Sequence, residues 1–389
     1  AEIGMDPLAV RIKNMITADQ LPMTSAGGVI YDSGDYPGCL QKLLHELDVD
    51  AIRSEQSERR SADDVKMLGV GIAAFVDRTA GVPGAEYGAL HLNPDGTFVV
   101  HTGSSPYGQG HYTTWIQLVS ERTGAPVESI SVFHGDTDVV PRGGITGGSR
   151  SAQKAGSAVA VATETLVEQA RGRAAEMLEA AVDDVVLDLE TGSFHVTGAP
   201  GATTFGWADI AAEEAKEADE GDPFALKCEA DFEPDNHSVP YGAHAAVVEV
   251  DRETGEVTLL RMVTVDDAGT MINPMIVLGQ VHGGVVQGIG QALYEEFIYD
   301  DDGNPLTANL LDYTMPSATE IPNLEAHMTE HPTPHNPLGA KGIGESGCIG
   351  SVPAIQNAVV DALAPLGIRH IDLPLTPQRV WKAISAAVG

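Results

Sequence analysis

"AHAAVVEVDRETGEVTLLRMVTVDDAG", residues 243–269, sets two apolar, Val-rich runs on either side of Thr254-Gly255. That pattern is a long antiparallel ribbon closed by a tight turn. Two more hairpins are legible upstream. "GALHLNPDGTFVVHTG", residues 88–103, turns at Pro94-Asp95-Gly96, and "VVLDLETGSFHVTG", residues 185–198, turns at Thr191-Gly192. "LGVGIAAFV", residues 68–76, reads as a buried strand, and "VESISVFHGDTD" as a strand running into a loop. Helices lie between these strands. Asp6 and Pro7 start one with Leu8, Ile12 and Met15 at helical spacing, and "LQKLLHEL" is a second. A third spans about His111 to Thr123, with Gly124 placed as a left-handed cap. An Ala/Val-rich helix follows "PRGGITGGSRSAQKAG" to about Leu178, and others cover "GQVHGGVVQGIGQALYEE", "VPAIQNAVVDAL" and the residues after Thr376-Pro377. "AAEEAKEADEGDP", residues 211–223, is a solvated helix end or linker. Hairpins mixed with scattered helices exclude a simple doubly wound sheet and imply a mixed α/β (α+β) fold.

The chain has 389 residues, enough for two or more lobes. Its 22 Lys and Arg stand against 56 Asp and Glu, a net charge of -34 that repels nucleic acid and anionic lipid. No apolar run reaches the roughly 18–20 residues of a membrane span. The acidic opening "AEIGMDPLAVRIKNMI" lacks the apolar core of a signal peptide, so a cytoplasmic location is expected. Cys39, Cys228 and Cys348 lie far apart with no CxxC pair. They cannot supply the four ligands that an iron–sulfur cluster or structural zinc normally takes. A redox enzyme built on this chain must therefore send its electrons through another subunit.

Four loops place glycine and amide or hydroxyl side chains where a core would want bulk. "GSSPYGQGHYTT", residues 103–114, is a glycine turn entering a helix, whose free N–H groups suit an electronegative ligand or a plain capped turn. "GGITGGSRS", residues 143–151, lacks the Gly-Lys-Ser/Thr ending of a phosphate-binding loop. It reads as a ligand cradle with Arg150 toward phosphate, or as a tight turn with an N-cap. "GGVVQGIGQ", residues 283–291, puts glycines inside a helix, where each costs about 1 kcal/mol against Ala, for helix contact or for a large cofactor beside Gln287. "NPLGAKGIGESGCIG", residues 336–350, holds Glu345 at a glycine-lined helix start. Glu345 is either a general base poised by partial desolvation, helix N–H groups and Lys341, or a cap for the following helix.

These loops, with "GMDPLAVRIKNMI", "YDSGDYPGCL", "GDTDVVPRGGITGGSRS", "DDAGTMINPMIVLGQVHGGVVQGIGQALYEE" and "HNPLGAKGIGESGCIGSVPAIQNAVVDAL", are distributed over nearly the whole chain. In that order they resemble the molybdenum-binding large subunit of the xanthine dehydrogenase and aldehyde oxidase family, with the texture of its carbon monoxide dehydrogenase branch. The resemblance implies molybdopterin-binding domains: residues 1–66 as the rest of a first lobe whose N-terminal half is missing, and residues 67–220 and 221–389 as two parts of a second lobe. It implies molybdenum held by a pterin dithiolene, often as the cytosine dinucleotide, so no protein ligand to the metal is expected. Gln109 and Gly110 then lie near the metal's oxo group and the pterin. Ser149, Arg150 and Ser151 face the pterin or its phosphates, and Gln287 the pterin side. Gly108, Gly148, Lys341 and Gly342 complete the cofactor set, and Glu345 matches the catalytic base.

The activity so implied is oxidation of a small substrate at a molybdenum hydroxide/sulfido centre, with water as oxygen source and Glu345 taking the proton. Aldehydes and N-heterocycles such as purines are alternative substrates, and a non-catalytic half of a split subunit is an alternative role. The family places an "AYRG" or "AYRC" loop ahead of "GMDP". That region is not in this sequence, so a truncation or a subunit made as two chains is expected. Copper is expected only in a carbon monoxide dehydrogenase proper, on the cysteine of that loop; Cys348 does not match it and is read as a small buried residue. Partners implied are a small subunit with [2Fe-2S] clusters and an FAD subunit, assembled as a dimer of heterotrimers. An unrelated nucleotide-phosphate binder using "GGITGGSRS" predicts ATP or NAD without molybdenum, but lacks the strand-loop-helix fingerprint.

Overall fold

The computed structural model describes residues 3–81, 83–199, 203–217 and 221–388. Eight strands matter for the site: β1 (Lys66–Val76), β2 (Glu86–Leu92), β3 (Phe98–Thr102), β4 (Ile130–Phe133), β5 (Leu226–Phe232), β6 (Tyr241–Asp251), β7 (Val257–Asp267) and β8 (Leu324–Thr329). Six helices accompany them: α1 (Tyr36–Leu47), α2 (Val49–Ser61), α3 (His111–Thr123), α4 (Ser157–Met177), α5 (Pro274–Leu293) and α6 (Ser346–Leu363). One four-stranded sheet runs β5-β2-β3-β4 and the other β8-β7-β6-β1. In each, one edge pair is parallel, β3–β4 and β7–β8, and the rest antiparallel.

The ribbon of β6 and β7 is buried on both faces, which explains its lack of polar alternation. Ala243, Ala245, Val247, Val263 and Val265 point to the core shared with α1 and α2. Ala246, Val248, Val250 and Met262 point to the core shared with α5 and α6. A β-bulge between Val247 and Val248 re-aims the strand within this register. The other sheet packs on α3 and α4 through Leu90, Phe98, Val100, Trp115 and Leu166.

All three hairpins form as the sequence predicts, and Gly124 caps α3 at φ +66°. The pairings of β1 with β6 and of β5 with β2 both cross the boundary drawn at 220/221, and β1 itself begins at Lys66, across the one drawn at 66/67. Two elements depart from expectation. Helix α2, "VDAIRSEQSERRS", buries only Ile52 and Gln56 and has no readable apolar stripe. Its arginines hold it in place, Arg59 to Glu249 at 2.7 Å and Arg53 to Asp361 at 2.9 Å. Helix α6 begins at Ser346 rather than Val352 and carries Pro353 inside. Packing of its glycine-rich first turns on α5 outweighs their poor propensity.

Candidate active site

A cleft of about 630 Å³ opens between the two layers. It is bounded by the loops at 107–111, 146–152, 268–273 and 340–345, and by one face of α5. Helix α3 meets the start of α5 at this cleft. Asn273 caps α5 by accepting from the Ile276 N–H at 3.1 Å, and its amide donates to Gln117 Oε1 at 3.0 Å. Gly110 is the left-handed residue before α3, and a Cβ there would lie 2.8 Å from Ile276 Cδ1.

The loop carrying Glu345 is fixed from three sides. Asn336 folds it locally, accepting from the Leu338 and Ala340 N–H groups at 3.1 and 3.2 Å and donating to Ala340 O at 2.8 Å. Lys341 is buried under it. Its Nζ pairs with Asp267 at 3.1 Å, donates to Ser33 O at 3.1 Å, and lies 5.4 Å from the Tyr241 ring centre. Gly342 then passes so close to the 146–152 loop that a Cβ would fall 2.2 Å from Ser149 O. Glu345 itself is exposed to the cleft, and Ser149 Oγ donates to its Oε2 at 2.7 Å. The Glu345 side chain makes no capping bond to α6, so the helix-cap reading does not hold.

Lys341 was expected to act on Glu345 and on the cofactor. Its ammonium instead balances Asp267, because a buried carboxylate needs a cation in contact. Arg150 is anchored in the same way. It is 5% exposed, with Nη2 2.5 Å from Glu86 Oε1 and Nε donating to Ile145 O at 2.9 Å, so its guanidinium is anchored inside the fold at the cleft wall. Cys348 is half-buried rather than buried, with Sγ near Gln291 Oε1 at 3.9 Å. Gln109 Oε1 accepts from the Tyr107 N–H, and Ser151 Oγ accepts from Ser104 Oγ at 2.8 Å.

The lining collects every predicted site residue except Gly110, which stands behind it as the cap of α3. Glu345 is the sole carboxylate among the described lining residues, in a chain of charge -34. Three helical starts at the cleft, that of α3 after Gly110, that of the π turn Ala152–Gly156 after Ser151 and that of α6 after Glu345, have no side-chain cap. Two buried nitrogens beside them, His111 Nδ1 and Trp115 Nε1, have no hydrogen-bond partner among the described residues. Burial, then the neighbouring His134, pushes the His111 pKa down to about 4, so the ring is neutral at pH 7. Sequence reading missed His111, Trp115 and Gln280. Ile276, Gln280, Gly283 and Gln287 follow helical spacing on α5, a signal that could have found Gln280. Among the described residues no group of three or more His, Cys, Asp or Glu could hold a metal ion. No helix there is long and apolar enough to cross a membrane.

Residues 42–322 match the molybdopterin cofactor-binding domain family. The chain is 38% identical to the carbon monoxide dehydrogenase large chain of Hydrogenophaga pseudoflava, over 98% of this chain and 49% of that one. It is also 38% identical to the gamma subunit of the 6-hydroxypseudooxynicotine dehydrogenase complex of Paenarthrobacter nicotinovorans, over 98% of this chain and 48% of that one. A crystal structure of the Cu,Mo-CO dehydrogenase in its carbon monoxide reduced state superposes with a TM-score of 0.91 at 34% identity, covering 99% of this chain and 50% of that one. The chain thus spans about half the length of the curated relatives it matches.

Proposed function

The chain belongs to the molybdopterin cofactor-binding domain family, and from that premise we propose that it is part of the catalytic large subunit of a molybdenum-dependent oxidoreductase. The enzyme oxidises a small substrate with water as oxygen source, in the manner of carbon monoxide dehydrogenase. One observation carries this reading: a single carboxylate, Glu345, facing a cleft lined mostly by glycines, amides, hydroxyls and apolar groups, whose two cations, Lys341 and Arg150, are paired with Asp267 and Glu86.

The cleft's chemistry fits a pterin with a phosphate tail, its cytosine dinucleotide form included. Uncapped helix starts and the unpartnered His111 Nδ1 and Trp115 Nε1 suit pterin and phosphate oxygens and ring nitrogens. Gly108, Gln109, Gly148, Ser151, Gln287 and Gly342 would hold it, with Gly110 fixing the start of α3. When bound, the group supplies a Lewis-acidic metal and a two-electron acceptor. Glu345 has Oε2 fixed by Ser149 and no protein partner for Oε1 among the described residues, so it can take a proton from a group delivered to the cleft. Electrons leave through iron–sulfur and flavin subunits, since Cys39, Cys228 and Cys348 are dispersed. Copper belongs only to a strict carbon monoxide dehydrogenase, and none of the three cysteines is among the cleft's described lining.

A second substrate class, aldehydes or N-heterocycles, is supported by the equal identity to the 6-hydroxypseudooxynicotine dehydrogenase subunit. Another observation bears on assembly. Leu306, Leu310, Leu311 and Met315 are between 55% and 92% exposed within one segment. We infer that polypeptide equivalent to the other half of the relatives' length covers it.

The test is Glu345→Gln in the assembled enzyme, assayed with carbon monoxide and with an N-heterocycle. Loss of about 10²–10⁴-fold in kcat with unchanged molybdenum content is expected. Normal turnover by that variant would remove Glu345 from the reaction.

A further inference from the structure

We propose that Ser149 is a positioning residue, which holds the Glu345 carboxylate in place for proton transfer rather than binding the cofactor. The proposal rests on the reading of Glu345 as the base. Two hydrogen bonds run in opposite senses between these residues, 196 positions apart in sequence. Ser149 Oγ donates to Glu345 Oε2 at 2.7 Å and accepts from the Glu345 N–H at 3.1 Å. A serine hydroxyl has one proton to give. Here it goes to the carboxylate, so none is left to donate to a pterin or phosphate.

The backbone supports the same assignment. Ser149 sits at φ +49°, a conformation that glycine adopts freely and serine rarely, and it follows Gly148 at φ +62°. A third glycine after Gly147 and Gly148 would relieve the backbone here, yet a hydroxyl side chain occupies the strained position. Strain held at one residue beside a reactive group points to a function for its side chain. The facing loop is shaped to meet it. Gly342 admits Ser149 O and Cβ, where a methyl would lie 2.2 and 2.7 Å away, and Gly344 leaves Oγ open at 3.4 Å. Among the described residues the Glu345 side chain has no other hold. It is exposed, its side chain makes no bond to its own helix, and the nearby cations Lys341 and Arg150 are engaged with Asp267 and Glu86. A flexible glutamate at a wide cleft would otherwise sample many rotamers, and only a few would face the substrate.

The experiment compares wild type, Ser149→Ala, Ser149→Gly and Glu345→Gln in the molybdenum-loaded, assembled enzyme. Kinetics, metal content by mass spectrometry and melting temperature are read for each. Ser149→Ala should lower kcat by roughly 10- to 100-fold, as expected for a misplaced catalytic group. KM should stay within about twofold and molybdenum content should be unchanged. Ser149→Gly should lose turnover to the same extent while melting above Ser149→Ala, because glycine accepts the positive φ. That pair separates loss of the hydroxyl from loss of fold. Molybdenum falling in proportion to activity in either variant would return Ser149 to the cofactor, and wild-type kcat in both would make the bond dispensable. Glu345→Gln is the separate control. If it stays active, the base reading fails whatever Ser149 does. If it is dead while the Ser149 variants are normal, only the positioning role fails.

Discussion

Lys341 and Arg150 are the two cations a reader of the loops would aim at a ligand, and both turn inward. Each meets a carboxylate that the fold buries: Asp267 at 0% and Glu86 at 2% exposed. The sequence could not reveal these partners, because Asp267 lies 74 positions before Lys341 and Glu86 lies 64 before Arg150. Buried histidines follow the same rule that burial penalises charge. His91 is stacked on Phe224 at 4.5 Å with Nδ1 unpartnered. Burial first, then the charges of His101 and Lys227, push its pKa down to about 4 from 6.5. His101 and His111 shift the same way through burial. A pKa lower in the folded chain means that the unfolded chain binds the extra proton. Stability is therefore full above about pH 6.5 and declines as the pH drops toward 4. Calorimetry should show the melting temperature falling between pH 7 and pH 5. His91→Phe, which keeps a ring on Phe224, should flatten part of that slope, and an unaltered slope would mean that His91 does not carry it.

Helices α5 and α6 cross where glycine faces glycine. A Cβ on Gly347 would lie 2.4 Å from Val281 O and 2.7 Å from Val285 N, and one on Gly284 would lie 3.0 Å from Gly347 Cα. The glycines of "GGVVQGIGQ" thus serve helix contact on one side, while Gly283 and Gln287 face the cleft on the other. The helix-contact reading holds, and Gly283, Gly284 and Gln287 line the cleft in which a cofactor is proposed. Gly347→Ala should gain about 1 kcal/mol of helix propensity but lose roughly 1–3 kcal/mol to overpacking against backbone that cannot change rotamer. We expect a lower denaturant midpoint. Because Glu345 stands two residues away, we also expect a fall in kcat beyond what unfolding accounts for. A variant as stable and as active as wild type would mean that the crossing can open without moving the base.

On the proposed assembly, polypeptide equivalent to the relatives' other half covers the exposed apolar residues of the 297–315 segment, which no described part of this chain covers. Leu310 and Leu311, 76% and 92% exposed, are the natural anchors. Replacing both by Lys should weaken association with a separately expressed polypeptide matching the other half of the relatives by at least tenfold. The chain's own melting temperature should stay unchanged. Equal co-elution of the double variant in size-exclusion chromatography would move that interface elsewhere. Leu310 and Leu311 are exposed enough that replacing them removes little packing within this chain, so a change in melting temperature would signal a fold role instead.

Local pattern was enough for the hairpins, most helices and the cleft's glycine loops, because turns, caps and periodicity act over a few residues. The same loops also carried the family resemblance and pointed to Glu345. Three-dimensional packing settled what those residues touch. It engaged Lys341 and Arg150 with buried carboxylates, drew α2 into place through long-range ion pairs, and started α6 early against α5. It also set Ser149 against Glu345 across 196 positions. Such pairings depend on which groups folding removes from water together, and a linear pattern carries no record of that.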